Sequence, residues 1–213
     1  MDEATLIREA QRGGQTGLDA FNTLVMAHQS QVYNVAYRIM GDTAAAADAT
    51  QETFISTYKS LSHFRGGSFK SFLLRSVTNA CYDALRYAKR RPSTSLDDFN
   101  SPDSLETNGS DNAHEVLSST DENPADAAER RDLREHIAHA ALQLPIEQRI
   151  TFVLSDVQGL NYDEIADITK TTLGTVKSRL SRARAKLRDL LLAQPELLPE
   201  ELRRLNTRVE RDD

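Results

Sequence analysis

The sequence predicts an all-α protein of two small helical domains joined by a flexible acidic linker. Three observations carry this. Ala, Leu and Arg are plentiful, aromatic residues make up only 6% of the chain and Trp is absent; that balance favours helices, because β-branched and aromatic side chains are the ones that prefer strands. Apolar residues recur at helical spacing on both sides of the chain's middle. Between them, residues 92–127 are dominated by Ser, Asp, Asn, Pro and Gly, with too little apolar surface to offset the entropy of ordering them.

Within residues 1–91, Leu6, Ile7 and Ala10 suit a short first helix that Gly13-Gly14 ends. Phe21, Leu24, Val25 and His28 fall at i, i+3, i+4 and i+7, and Val32, Val35, Ala36 and Ile39 continue that face until Gly41-Asp42. A third helix is expected over about Ala44 to Leu61. Arg65-Gly66-Gly67-Ser68 reads as a loop, and a last helix runs from about Phe69 to Arg90, where Pro92 stops it.

The second domain spans residues 128–192. Leu133, Ile137, Ala140, Ala141 and Leu144 form one stripe, closed by Pro145. Ile150, Phe152, Val153, Leu154 and Val157 mark the next helix, which Gly159 ends. Two further helices are expected over Asn161 to Thr169 and Leu173 to Leu192. The tail, residues 193–213, carries an amphipathic piece (Leu197, Leu198, Leu202, Leu205).

Charge is unevenly spread, and its distribution says more than the net value of -6. From Lys59 to Arg91 the basic residues Lys59, Arg65, Lys70, Arg75, Arg86, Lys89, Arg90 and Arg91 face Asp83 alone. From Gly174 to Arg188 there are Lys177, Arg179, Arg182, Arg184, Lys186 and Arg188 and no acid. No apolar run approaches the roughly 20 residues that a bilayer requires, and the charged N-terminus does not resemble a signal peptide. The single Cys81 cannot form an internal disulfide, so a cytoplasmic setting is expected.

Asn161 to Arg188 is patterned as a helix-turn-helix. Asn161 can cap a helix and Glu164 can close the capping box. Ile165, Ala166 and Ile168 supply an inward face, Lys170-Thr171-Thr172 a tight turn, and Thr172 a cap for the next helix. Gly174 leaves room for a partner helix or a phosphate. Val176 and Leu180 point inward, leaving Thr175, Lys177, Ser178, Ser181 and Arg182 outward with Arg179, Arg184 and Lys186 beside them. Arg pairs bidentately with guanine, Ser bonds several base edges, and Lys or Thr holds phosphates, so this helix suits the DNA major groove.

Leu160-Asn161-Tyr162-Asp163-Glu164-Ile165-Ala166, with Gly174-Thr175-Val176-Lys177-Ser178-Arg179-Leu180 and Arg182-Ala183-Arg184, resembles region 4 of the extracytoplasmic-function (ECF) sigma factors of the sigma-70 family. Leu144-Pro145 and Arg149 precede it at suitable spacing. Asp48-Ala49-Thr50-Gln51-Glu52-Thr53-Phe54, then Tyr58, Phe64-Arg65-Gly66, Asn79, Asp83 and Arg86, resemble region 2 of the same family. The resemblance covers about residues 5–91 and 128–190. It implies a specificity subunit without catalysis of its own, which binds core RNA polymerase and directs promoter-specific initiation.

On matching positions the resemblance implies three surfaces. Asp48, Gln51, Glu52, Phe54 and Tyr58 dock the clamp helices of the largest polymerase subunit. Phe64, Arg65, Phe69, Lys70, Phe72, Arg75 and Asn79 capture a base flipped from the -10 element and aid melting. Thr175, Lys177, Ser178, Arg179, Ser181 and Arg182 read the -35 element, with region 4 on the flap of the second-largest subunit. An anti-sigma protein is a further partner found for many members. Phe72 stands where the family often has Trp, and Thr172 where it often has Pro.

Promoter elements one and a half turns apart lie about 50 Å apart, at about 34 Å per turn. A flexible chain of about 36 residues averages roughly 33 Å end to end and is lengthened by self-repulsion, so the linker can span them. Neutralising Asp97, Asp98, Asp103, Glu106 and Asp111 is then expected to weaken holoenzyme assembly or alter initiation. No cofactor or metal is expected. His136 and His139 lie at i, i+3 rather than the i, i+4 of a zinc helix and read as surface residues; Cys81 reads as a buried structural thiol.

Overall fold

The computed structural model describes residues 2–90 and 124–194 of the 213-residue chain. The linker between these ranges, including its acidic residues, and the amphipathic tail after residue 194 lie outside the described residues. The chain divides into two compact units, and the described elements of both are helices.

The first unit holds α1 (Glu3–Arg12), α2 (Gly14–Met40), α3 (Thr43–Ser60), a 3₁₀ turn (Leu61–His63) and α4 (Phe69–Arg90). Asp2 caps α1 by accepting from the Thr5 N–H at 3.3 Å, and hydrogen bonding from the Thr5 side chain, with that N–H beside it, draws its carboxyl below the usual range. Gly13 and Gly14, at φ of 72° and 70°, reverse the chain directly into α2, a conformation that other residues resist. Gly17 then lets α1 and α2 touch backbone to backbone, since a Cβ there would lie 3.0 Å from the Glu9 carbonyl oxygen.

Asp42 caps α3 through the Ala45 N–H at 2.7 Å. The core comes from one stripe of each long helix: Leu24, Val32, Val35 and Ile39 of α2, Ala46 and Ala49 of α3, and Leu73, Leu74, Val77 and Cys81 of α4. Burying a Leu or Ile side chain contributes on the order of 1.5–3 kcal/mol, so these stripes hold the bundle together.

The second unit holds α5 (Pro124–Leu142), α6 (Ile146–Phe152), a π-helical turn (Val153–Val157), α7 (Tyr162–Thr169) and α8 (Leu173–Leu192). The helix α5 begins at Pro124, inside the stretch that composition marks as linker. Proline suits a first helical turn, where its fixed φ is right and its missing N–H has no partner to lose. Ala140, Ala141 and Leu144 pack against Ala183 and Leu187 of α8. The expected helix through Val157 is not uniform: the Gln158 N–H reaches the Val153 carbonyl at 3.0 Å, five residues back. Gly159, at φ 70°, then turns the chain into α7.

Arg149 of α6 ties the unit's first corner. Its guanidinium donates to the carbonyl oxygens of Leu142 and, at 3.3 Å, Leu144, which close α5. Burial pushes its pKa down.

Candidate nucleic-acid interface

The turn between α7 and α8 is built by local bonds. The Glu164 N–H donates to Asn161 Oδ1 at 2.9 Å and the Asn161 N–H to Glu164 Oε2 at 3.0 Å, the expected capping box. Ile165 and Ile168 are buried, whereas Ala166 is only half-buried. Lys170 takes the left-handed conformation (φ 53°), and the Thr171 N–H bonds the Ala166 carbonyl at 3.0 Å. Thr172 Oγ1 accepts from the Thr175 N–H at 3.2 Å and so caps α8. Among the described residues nothing but that same Thr172 hydroxyl lies within 4 Å of where a Gly174 Cβ would stand, so no described helix approaches there.

Val176, Leu180, Ala183 and Leu187 form the buried stripe of α8. Lys177, Ser178, Ser181, Arg182 and Lys186 are exposed on the other side. Thr175 is half-buried and shares a 2.9 Å hydroxyl contact with Thr172; the Ser178 hydroxyl donates back to the Thr175 carbonyl at 3.0 Å.

Arg179 departs from the sequence reading. Its guanidinium turns to α6 and meets Glu147 at 2.7 Å, with only 22% of the side chain exposed. Arg184 is likewise tied back, forked onto Asp156 at 2.6 and 3.3 Å, which strengthens its hold on its proton. Two acids of the preceding segment thus withdraw two arginines from a helix whose own sequence from Gly174 to Arg188 has no acid.

In the first unit, Asp48, Gln51 and Glu52 are exposed along α3. Tyr58 is 43% exposed and leans on Phe21, ring centroids 4.9 Å apart. Phe54 is half-buried on the flank of this strip. The strip's apolar centre is Ile55, 40% exposed, a residue the sequence reading missed; its spacing, i+3 from Glu52 and i-3 from Tyr58, was the available signal.

Around the start of α4 the aromatic residues divide. Phe69 is 3% exposed and packed edge-on to His28 at 5.5 Å and to Phe64 at 5.9 Å. It cannot offer a face to a base; it is the floor under Phe64 and Phe72, which are half-buried and 5.2 Å apart. Arg65, Arg75 and Asn79 are exposed and Lys70 is half-buried. The loop before α4 contains Gly66 and Gly67 at φ of 100° and 93°, and Ser68 ends it by accepting from the Ser71 N–H at 3.1 Å.

Among the described residues no group of three or more His, Cys, Asp or Glu side chains could hold a metal ion. His136 is not a surface residue as expected: it is half-buried and lines, with His139, Gln143, Leu190 and Leu191, a cavity of about 110 Å³ between α5 and α8. Cys81 is buried, and loss of solvation pushes its thiol up to about 12. No helix among the described residues is long and apolar enough to cross a membrane.

The sequence profile of Sigma-70 region 2 matches residues 24–91 and that of Sigma-70, region 4 matches residues 134–187. The RNA polymerase sigma-H factor of Pseudomonas aeruginosa is 32% identical over 180 residues, 84% of this chain and 88% of that protein. The ECF RNA polymerase sigma-E factor of Escherichia coli K12 is 32% identical over 185 residues, 86% of this chain and 91% of that one. The ECF RNA polymerase sigma factor SigE of Mycolicibacterium smegmatis is 33% identical over 179 residues, 84% of this chain but 64% of that longer protein. In fold, the chain resembles CnrH, solved in complex with the cytosolic domain of CnrY (TM-score 0.58, 24% identity, 89% of this chain and 96% of that one). It also resembles the sigma factor RpoE of Bartonella quintana, solved with the anti-sigma factor NepR (TM-score 0.57, 24% identity, 80% and 96%). The chain belongs to the extracytoplasmic-function sigma factors of the sigma-70 family, which direct promoter-specific transcription initiation with RNA polymerase.

Proposed function

We propose that residues 1–91 dock core polymerase and open the -10 element, that residues 128–192 read the -35 element, and that residues 92–127 tether the two. The observation that carries this reading is the outward face of α8, where Lys177, Ser178, Ser181, Arg182 and Lys186 are exposed while Arg179 and Arg184 are held by acids. Base-edge readers concentrated at the N-terminal half of such a helix, with cations following along it, match the way a recognition helix enters the major groove.

Asp48, Gln51, Glu52, Ile55 and Tyr58, flanked by Phe54, form the face for the clamp helices of the largest subunit. Exposed apolar groups ringed by carboxylates suit a partner that is itself apolar and basic. Region 4 rests on the flap of the second-largest subunit. Phe64 and Phe72 give an extruded -10 base its stacking surface, Asn79 reads its edge, and Arg65, Lys70 and Arg75 follow the backbone. Phe69 supports this pocket from below. The protein has no catalytic activity of its own and works in the cytoplasm, on the nucleoid when in holoenzyme. An anti-sigma protein that covers the α3 face or the α8 face is its natural antagonist.

Three substitutions separate these roles. Tyr58→Asp is expected to lower core affinity, Asn79→Ala to lower transcription only from promoters with an intact -10 element, and Ser181→Ala to alter the -35 preference. If all three variants lose the same step, the division of labour is wrong.

A further inference from the structure

Gln11, the penultimate residue of α1, crosses to the far end of the first unit's third helix. Its Nε2 donates to the carbonyl oxygen of Leu61 at 2.9 Å and to that of Phe64 at 2.7 Å. Both partners are carbonyls, which can only accept, so the NH₂ end of the amide is the one that faces them. The Leu61 oxygen also takes the Phe64 N–H at 3.0 Å.

These two carbonyls stand at the entrance of the loop that leads into α4. At its exit, Ser68 is fixed by its bond from the Ser71 N–H and by the Phe72 N–H on its carbonyl at 3.1 Å. Between the two anchors remain Arg65, Gly66 and Gly67. Both glycines are at positive φ with open space around them, so the loop itself offers little resistance to other conformations. Phe64, which Gln11 holds, also packs on Phe69 and Phe72. The Gln11 amide links α1 to this loop entrance, and α1 lies before the residues that match the region 2 profile.

We propose that Gln11 is a positioning residue for base capture at the -10 element. By clamping the carbonyls of Leu61 and Phe64 it orients the Phe64 ring and sets the starting point of the Arg65–Gly67 loop before DNA arrives. The inference rests on the assignment of this loop to the -10 element. The clamp acts on preorganisation: the two bonds are made before the base is extruded, so ordering Phe64 and the loop's entrance does not weigh against capture.

The test uses holoenzyme reconstituted with full-length protein. Gln11→Leu and Gln11→Glu keep approximate size but cannot donate to the two carbonyls; Gln11→Lys restores a donor. Transcript yield is measured on one promoter, on versions substituted base by base in the -10 element, and on versions substituted in the -35 element. Core affinity and melting temperature are measured beside it. Losing two neutral hydrogen bonds predicts a loss of about tenfold on the intact promoter. The -10 base preference flattens, the -35 preference and core affinity stay unchanged, and Gln11→Lys recovers most of the loss. A Gln that only secured the end of α3 would lower the melting temperature and leave the -10 profile as it was, and that result overturns the proposal. Equal loss on every promoter also overturns it. Wild-type holoenzyme that shows no -10 preference at all would instead sink the loop's assignment, independently of Gln11.

Discussion

Arg179 on α8 and Glu147 on α6 form a 2.7 Å ion pair that turns one arginine of α8 away from the surface its neighbours Ser178 and Arg182 present. The pair sorts the basic residues of α8 into those that hold the unit together and those left for a partner. Glu147→Gln should release Arg179 toward DNA, raising affinity for unrelated sequences and steepening the salt dependence by about one unit of log-log slope. Titrations of -35 and scrambled duplexes against holoenzyme at several salt concentrations measure both. An unchanged slope would mean that Arg179 stays where it is without its partner.

Arg182 is exposed, and among the described residues no ion pair holds it. Arg182→Ala should relax the -35 preference and cost about 1–3 kcal/mol if the side chain reads a base edge. Binding to each single-base variant of the element checks this. A uniform loss across all variants would make it a phosphate contact.

Arg149 secures the carbonyls of Leu142 and Leu144 from a largely buried position. Arg149→Ala should cost about 2 kcal/mol, because charged hydrogen bonds are among the stronger ones and the carbonyls lose their donor. Arg149→Lys should recover less than half, since a single ammonium does not reproduce the fork. Thermal unfolding of the C-terminal unit within the full chain reports it, and a change below a few tenths of a kcal/mol would refute the clamp.

Cys81 yields a pH prediction. Burial raises its thiol from 9.0 to about 12 in the folded state, so the folded protein holds a proton that the unfolded chain releases. The contribution is complete below pH 9 and is lost as pH rises from about 9 toward 12, with a limiting slope of about 1.4 kcal/mol per pH unit. Other groups titrate there too, so the observable is the difference between wild type and Cys81→Ala. Unfolding curves for both should converge as pH rises from 9 to 11. Parallel curves would show that the thiol ionises freely in the native state.

Local features were the legible ones. The Asn161–Glu164 capping box and the Thr172 cap are bonds between residues three apart, and their chemistry can be read along the chain. The stripes of α2 and α8 follow from periodicity. What escaped depends on distant partners. Phe69 is as good a stacking residue as Phe64 until His28, from α2, covers it. Arg179 looks like Arg182 until Glu147 is brought beside it. Gln11 has no local signal, since its partners lie 50 and 53 residues away. The left-handed Lys170 is similar: nothing in a Lys announces a positive φ, and the turn's hydrogen bonds impose it.

The most direct test of the two-point reading is reconstitution. The purified full-length protein is added to core RNA polymerase, and transcripts are mapped on a library of promoters randomised at both upstream positions. The account predicts transcripts from promoters that share two elements about one and a half helical turns apart, with Arg182→Ala relaxing only the upstream element and Asn79→Ala only the downstream one. Binding to DNA without core polymerase, together with no promoter-specific transcript in its presence, would contradict it.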